Sequence, residues 1–383
     1  MNADWTPPGI LKKLAIELTA RRFSDPVRKL AYLQKVAKKA AEKRWSPVSR
    51  YSMPLLLVLL FGVTREETVT NVNAGLPKGK QTVVSGSQDV RKSSANFGPV
   101  WLVDSGQDYE VFSNGLRIEN RFLTPNEPRS YVIFRNGFPG ERQSKPAGII
   151  FHTSESMLAP FTSEKNDTLR RIGLELLKYV SRHKSYHFVI DRFGQVFRIV
   201  PETDYANHAG YSVWADQNGV YLNLNHSFLG ISFEAQTSDI DRGLYLSTTQ
   251  MHSGRLLVEM LVNKYQIPLE NCITHAQVSV DPQRMTIGYH HDGAGDFPFQ
   301  RLGIPDNYAL PIPSLYVFGF DFDSSFLMYS GTRMWQGMRL SEKRLLEKAE
   351  AQRLPVEQYK ANMRNNYRAS IETLKTLGII KEN

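Results

Sequence analysis

The chain has one cysteine, Cys272, in 383 residues. That excludes an intrachain disulfide and any zinc site built from several thiolates, and leaves Cys272 as a small core residue. Net positive charge is scarce beyond the first fifty residues. The net charge is +9, but residues 1–50 hold twelve Lys/Arg against four Asp/Glu and so account for eight of those nine charges. A basic groove for nucleic acid in the rest of the chain is thereby excluded. No internal repeat is present, and there is only one long apolar run, "MPLLLVLLFGV" from Met53 to Val63. The surrounding segment 46–64 carries a single charge, Arg50, and is about long enough to cross a bilayer. We read it as a membrane anchor whose basic flank stays in the cytoplasm. A secretion signal and a buried core helix are the alternatives. The region before it is too long for an ordinary signal, and no A-x-A-like cleavage site follows.

Hydrophobic residues make up 41% of the chain, enough to bury a sizeable core in one large domain or two. Residues 1–45 space Ile10, Leu14 and Leu18, then Leu30, Leu33 and Val36, at helical intervals among Lys and Arg, with Ser24-Asp25-Pro26 as a helix start. Residues 65–97 are polar, with "NAGLPKGKQT" at their centre, and read as a linker. Short alternating runs between 98 and 145 ("VWLV", "YEVFS", "LRIENRFL", "SYVIFRN") predict a small antiparallel β unit. From 146 to about 302 strand and helix patterns alternate, which predicts an α/β domain with a mixed central sheet flanked by helices. Residues 303–383 form an extension, charged and helix-prone from 340 to 378, whose role the pattern does not reveal.

Within 146–302 three places carry chemistry. His152 ends the buried-type strand "AGIIFHTSES", and His275 follows the short strand "CITH", so each imidazole emerges at a strand end. The third place is "GYHHDGAGDFPF", where His290, His291 and Asp292 precede a Gly-rich turn. Two imidazoles and one carboxylate suit zinc with a position left open for water, the arrangement of catalytic rather than structural sites. Between these places lies a hairpin, Phe188 and Ile190 turning at Arg192-Phe193-Gly194 into Val196, Phe197 and Ile199, followed by "NHAG". A histidine in such a setting either caps its loop or contacts something that Ala209 and Gly210 allow to come close.

These stretches together resemble the zinc amidases that include phage amidase-type lysozymes, bacterial N-acetylmuramoyl-L-alanine amidases and peptidoglycan recognition proteins. The resemblance spans roughly residues 146–302 and rests on "FHTSES", "YHFVIDRFGQVFRIVPE", "NHAG", "FLGISFEAQ" and "THAQV". In that family the third ligand is followed five and seven positions later by aromatic residues. Phe297 and Phe299 stand at those spacings from Asp292, so the resemblance implies His152, His275 and Asp292 as zinc ligands, with Asp292 preferred to His291. It also implies that Tyr186 occupies the place of a catalytic tyrosine, and that His208, Ala209 and Gly210 lie along the substrate groove. Two departures stand out. The glutamate of the bacterial "GIE" is Ser232 here, with Glu234 two residues on, and the lysine two positions before the third ligand is His290. Tyr186, His290 and Glu234 are therefore the catalytic candidates.

The function so implied is hydrolysis, with zinc as cofactor, of the amide between N-acetylmuramic acid and L-alanine. The expected partners are peptidoglycan or muropeptides and the inner membrane, reached through residues 46–64, with no nucleic acid. The expected location is the bacterial cell envelope, the amidase domain lying outside the cytoplasm on its anchor or as a secreted periplasmic protein. A non-catalytic peptidoglycan-binding module and a zinc hydrolase of another amide are the rival readings.

Overall fold

A computed structural model describes residues 97–237, 246–322, 326–330 and 334–380. The expected N-terminal helices, the anchor at 46–64 and nearly all of the linker lie outside the described residues. Among the described residues no helix is long and apolar enough to cross a membrane.

The described chain opens with an antiparallel meander, β1 (Leu102–Ser105), β2 (Tyr109–Phe112) and β3 (Arg117–Glu119). A short hairpin of β4 (Phe134–Arg135) and β5 (Phe138–Pro139) follows, then the fully buried β6 (Gly148–Thr153). Helix α1 (Asn166–His183) ends where Lys184 turns left-handed at φ 54°, and the chain enters the hairpin of β7 (Phe188–Ile190) and β8 (Val196–Arg198). Its turn is closed by Asp191, whose Oδ1 accepts the N–H groups of Phe193 and Gln195. Gly194 sits there at φ +84°, and a Cβ would also lie 2.8 Å from the Thr249 carbonyl, so only glycine fits. The hairpin of β9 (Val213–Asp216) and β10 (Gly219–Leu222) leads to the buried β11 (Phe228–Phe233). Helix α2 (Thr248–Tyr265) starts on a capping box between Ser247 and Gln250. Then come β12 (Cys272–Thr274), the one-turn α3 (His275–Val278), β13 (Val280–Asp281) and β14 (Thr286–Ile287). The extension supplies α4 (Pro313–Tyr316), β15 (Asp321–Phe322), α5 (Phe326–Tyr329), α6 (Gln336–Ala351) and α7 (Val356–Thr376).

Eight strands form one mixed sheet in the order β1-β2-β3-β8-β7-β11-β6-β12. Its centre, β7, β11, β6 and β12, is parallel. These strands read as unbroken apolar runs because both of their faces are covered. Alternation along β6 sends Ile149 and Phe151 into the large core shared with Leu257, Val258 and Leu261 of α2. Ile150 goes to the opposite face, into a cluster with Ala209, Trp214, Phe228 and Ile273. His152 follows Ile150 onto that second face, opposite Ser232 of β11.

The small β unit expected at 98–145 is not a separate body. Its meander extends the main sheet, because β3 pairs in parallel with the free edge of β8, while β4 joins β10 in a four-stranded sheet. Arg198 secures the first join. Its Nη1 donates to Asn120 Oδ1 at 2.9 Å, and its Nη2 reaches Glu110 at 2.9 Å and Glu202 at 3.3 Å. Burial opposes ionisation of Glu202, yet Arg198 and Lys264 outweigh it and hold that carboxyl below its usual range. The extension is equally tied in. Asn307 donates to the carbonyls of Leu269 and Cys272, Lys360 and Arg364 of α7 both bind Asp321, and Cys272 is buried as expected.

Because Glu202 is buried against Arg198, the Arg198→Met variant should lose about 3–5 kcal/mol of stability at neutral pH, the penalty for stranding a buried charge. Urea denaturation measures it. A loss under about 1 kcal/mol, the usual worth of an exposed pair, would show that the cluster is solvated.

Candidate metal centre

Three chain segments bring three donors together. β12 pairs with β6 so that Thr274 faces Phe151, which makes the next residues, His275 and His152, neighbours with ring centroids 4.5 Å apart. Asp292 arrives from the loop that follows β14. Its carbonyl accepts the Ala276 N–H at 3.1 Å, and the Gly293 N–H donates to Thr237 Oγ1 at 3.0 Å. Two aromatic contacts bolt this loop to the strand that carries His152. Phe297 stacks on Phe151 with centroids 4.9 Å apart, and Phe299 meets it edge-on at 6.3 Å. From the extension, the Tyr308 hydroxyl lies 2.5 Å from the Gly295 carbonyl, also contacts that of Gly293, and accepts the Phe297 N–H.

The carboxylate of Asp292 sits between the rings, Oδ2 at 2.8 Å from His152 Nδ1 and Oδ1 at 2.8 Å from His275 Nδ1. One donor atom from each residue lies within 4.8 Å of the others. Burial alone would favour a neutral Asp292. The His275 ring, the largest opposing influence, outweighs it and holds the carboxyl far below its usual range. Burial and the nearby His275 push His152 down to about 4, so at neutral pH it is an uncharged base. Two imidazole nitrogens and one carboxylate, converging from buried positions, fit a zinc ion with coordination left open to water or substrate.

The comparisons with known proteins bear on the same segments. Residues 142–286 match the family model described as N-acetylmuramoyl-L-alanine amidase. Within these bounds the chain is similar to that family. The match begins close to the expected domain start and stops short of Asp292, which the chain places by the contacts just described. No curated protein matches the chain. Solved structures similar to it include the N-acetylmuramoyl-L-alanine amidase LysC from Clostridium intestinale URNW, 19% identical, covering 47% of this chain and 93% of its own, with a TM-score of 0.26. The N-acetylmuramyl-L-alanine amidase AmiD from E. coli, in complex with anhydro-N-acetylmuramic acid-L-Ala-D-gamma-Glu-L-Lys, is 19% identical over 56% of this chain and 97% of its own, with a TM-score of 0.34. A mutant endolysin from Bacillus subtilis is 20% identical over 42% of this chain and 84% of its own, with a TM-score of 0.26.

Around the three donors, Tyr186 lies between α1 and β7 with its ring 5.0 Å from that of His152. Burial first, and the charge of Asp292 second, push its hydroxyl above the ordinary tyrosine value, so it stays a proton donor. His290 is exposed and stacks on His275 at 4.8 Å, and burial of part of its ring with the neighbouring His275 lowers its pKa. His291 turns toward Phe326, with centroids 6.2 Å apart, and is not one of the three converging residues.

Two expectations need correction. Glu234 does not join the triad. β11 ends at Phe233, and beyond it the Glu234 carboxylate accepts the Arg192 N–H at 3.1 Å, close against Gly173 of α1. Burial raises it to about 7. His208 and Ala209 do not face a groove either. Ala209 belongs to the core cluster, and the buried His208 ring is held between His152 and the Phe228 carbonyl. Gly210 alone is exposed, on the rim of a cavity of about 830 Å³ that Tyr211, Asn225 and Tyr367 of α7 also line. Tyr308 and Thr237 are parts of the site that sequence reasoning missed. Their contacts join segments far apart in the chain and leave no local signal.

The raised Glu234 has a pH signature. Its folded value of about 7 stands above the ordinary glutamate value of 4.5, so the folded state binds the extra proton and stability falls as pH rises between those values. Glu234→Gln lacks this loss. Its stability relative to the wild type should climb from pH 4.5 to about 7 and then level off in urea titrations. Parallel profiles would place Glu234 in water.

Proposed function

We propose that the amidase domain hydrolyses the amide between the lactyl group of N-acetylmuramic acid and the L-alanine of the stem peptide. The observation that carries this reading is the convergence of His152 Nδ1, His275 Nδ1 and the Asp292 carboxylate, in a chain whose residues 142–286 match the amidase family. His152, His275 and Asp292 would hold zinc, which when bound supplies a Lewis acid and lowers the pKa of water to about 7. The remaining work falls to the chain. Tyr186, kept protonated by burial, donates a hydrogen bond to the carbonyl oxygen that gains negative charge, a contact worth about 10²–10³ in rate. His290, exposed beside His275, is the titratable group placed to pass a proton to the departing amine. Glu234 takes no part, since its carboxylate is engaged at the hairpin. With all three donor positions filled, the domain is built for hydrolysis rather than binding alone.

In this reading residues 46–64 anchor the protein in the inner membrane of a bacterial envelope, and the linker 65–97 lets the domain reach the wall. The full chain should then stay with membranes through a carbonate wash. Release by the wash would rule the anchor out.

Digestion of purified muropeptides followed by mass spectrometry tests the activity. A free peptide beginning with L-alanine and an intact muramic acid should appear, and a chelator should stop their release until zinc is restored. Tyr186→Phe should keep its metal and lose about 10²-fold in kcat. Cleavage at any other bond would contradict the proposal, and an undiminished Tyr186→Phe would remove the tyrosine from the mechanism.

A further inference from the structure

His208 is buried, and both of its ring nitrogens are committed. Nε2 lies 3.2 Å from the Phe228 carbonyl oxygen, and Nδ1 lies 3.1 Å from His152 Nε2. A carbonyl oxygen only accepts, so His208 Nε2 carries the proton and, in a neutral imidazole, Nδ1 offers the lone pair. The atom that faces this lone pair must donate. His152 Nε2 therefore holds the His152 proton, and the lone pair of the neutral ring lies on Nδ1, the atom 2.8 Å from Asp292 Oδ2. Two acceptors that close repel each other until a cation lies between them.

We infer that His208 is a positioning residue that fixes the tautomer of His152, so that the Nδ1 lone pair points to where the metal would be held. The inference rests on the zinc reading of the site proposed above, and it replaces a substrate contact with a task inside the protein. A ligand imidazole is commonly oriented by what its second nitrogen touches, and losing such a partner costs about 10–100-fold in metal affinity.

The surroundings hold His208 in one place. Asn225 Oδ1 accepts the N–H groups of both His208, at 2.8 Å, and Ala209, at 2.6 Å, which clamps the backbone. The ring lies on Gly230 of β11, where a Cβ would come within 2.6 Å of His208 Cγ. That close approach is what glycine at 230 permits. The same strand is steadied from behind, because the Gly230 N–H donates to His187 Nδ1 at 2.9 Å and Arg129 Nη1 donates to the Phe228 carbonyl at 3.2 Å. The sheet thus presents the Phe228 carbonyl as a fixed acceptor, and the proton positions of two histidines follow from it.

The test uses the zinc-loaded protein, with long-range proton–nitrogen NMR on the histidine rings and competition with a chelator for zinc affinity. In the wild type, His152 should show its proton on Nε2 and the metal on Nδ1. His208→Leu removes the acceptor and should raise the zinc Kd about 10–100-fold. In His208→Asn the amide oxygen stands near the place of Nδ1, and affinity should stay within a few-fold of the wild type. Gly230→Ala, which pushes the ring away, should behave like His208→Leu. Coordination of His152 through Nε2, or wild-type affinity in His208→Leu, would overturn the inference. Should His208→Asn fall as far as His208→Leu, His208 serves packing alone and the inference fails. Wild-type protein that takes up no zinc would instead defeat the amidase reading beneath it.

Discussion

The architecture turns on one carboxylate held between two imidazoles. Asp292 meets His152 and His275 at 2.8 Å each, and each partner comes from a different part of the chain. A negative charge at such a buried position is costly unless it is paired. The surroundings therefore have to deliver three donors with little freedom. β6 and β12 do so by pairing in parallel, and the Asp292 loop does so through Phe297, Phe299 and the hydroxyl of Tyr308. The C-terminal extension is thus part of the site's scaffold, since Tyr308 holds the loop and Asn307 holds the strand that ends at His275.

The two faces of the central sheet divide the labour. One carries the large core against α2, where packing of Ile149, Phe151 and Phe233 sets the sheet's position. The other keeps small or polar residues next to the site, Gly230 and Ser232 on β11 beside His152 on β6, which leaves room for His208 to come close. Polar groups on that face find partners one after another, from Arg129 through the Phe228 carbonyl and His208 to His152. Such a network favours one arrangement of the donors over its alternatives.

Much of this was legible in sequence, and for physical reasons. Buried parallel strands are continuous apolar runs, so the histidines that interrupt or follow them, His152 and His275, stand out. The spacing that favoured Asp292 over His291 has a structural counterpart, because Phe297 and Phe299 pack on Phe151, the neighbour of His152. Where the reading failed, it extended a local pattern past its end. Glu234 follows Ser232 by two residues, but the strand stops at Phe233 and the carboxylate turns to the hairpin. The small neighbours of His208 do not mark its close approach, since a Cβ on Gly210 would meet nothing within 4 Å and it is Gly230 that lets the ring come near. What approaches is the protein itself, across contacts 20 and 56 residues away in sequence, which no window along the chain contains. The merging of the 98–145 strands with the main sheet was invisible for a related reason, since edge pairing between β3 and β8 depends on where β8 lies and not on the composition of either strand.

The central claim is that His152, His275 and Asp292 together hold one metal ion, and metal analysis of the purified protein is the most direct check. The account predicts about one zinc per chain in the wild type, and an Asp292→Ala protein that stays folded but loses most of that zinc, because removing one of three donors leaves too few to retain it. Full zinc occupancy in Asp292→Ala, or a wild type that binds none, would contradict it.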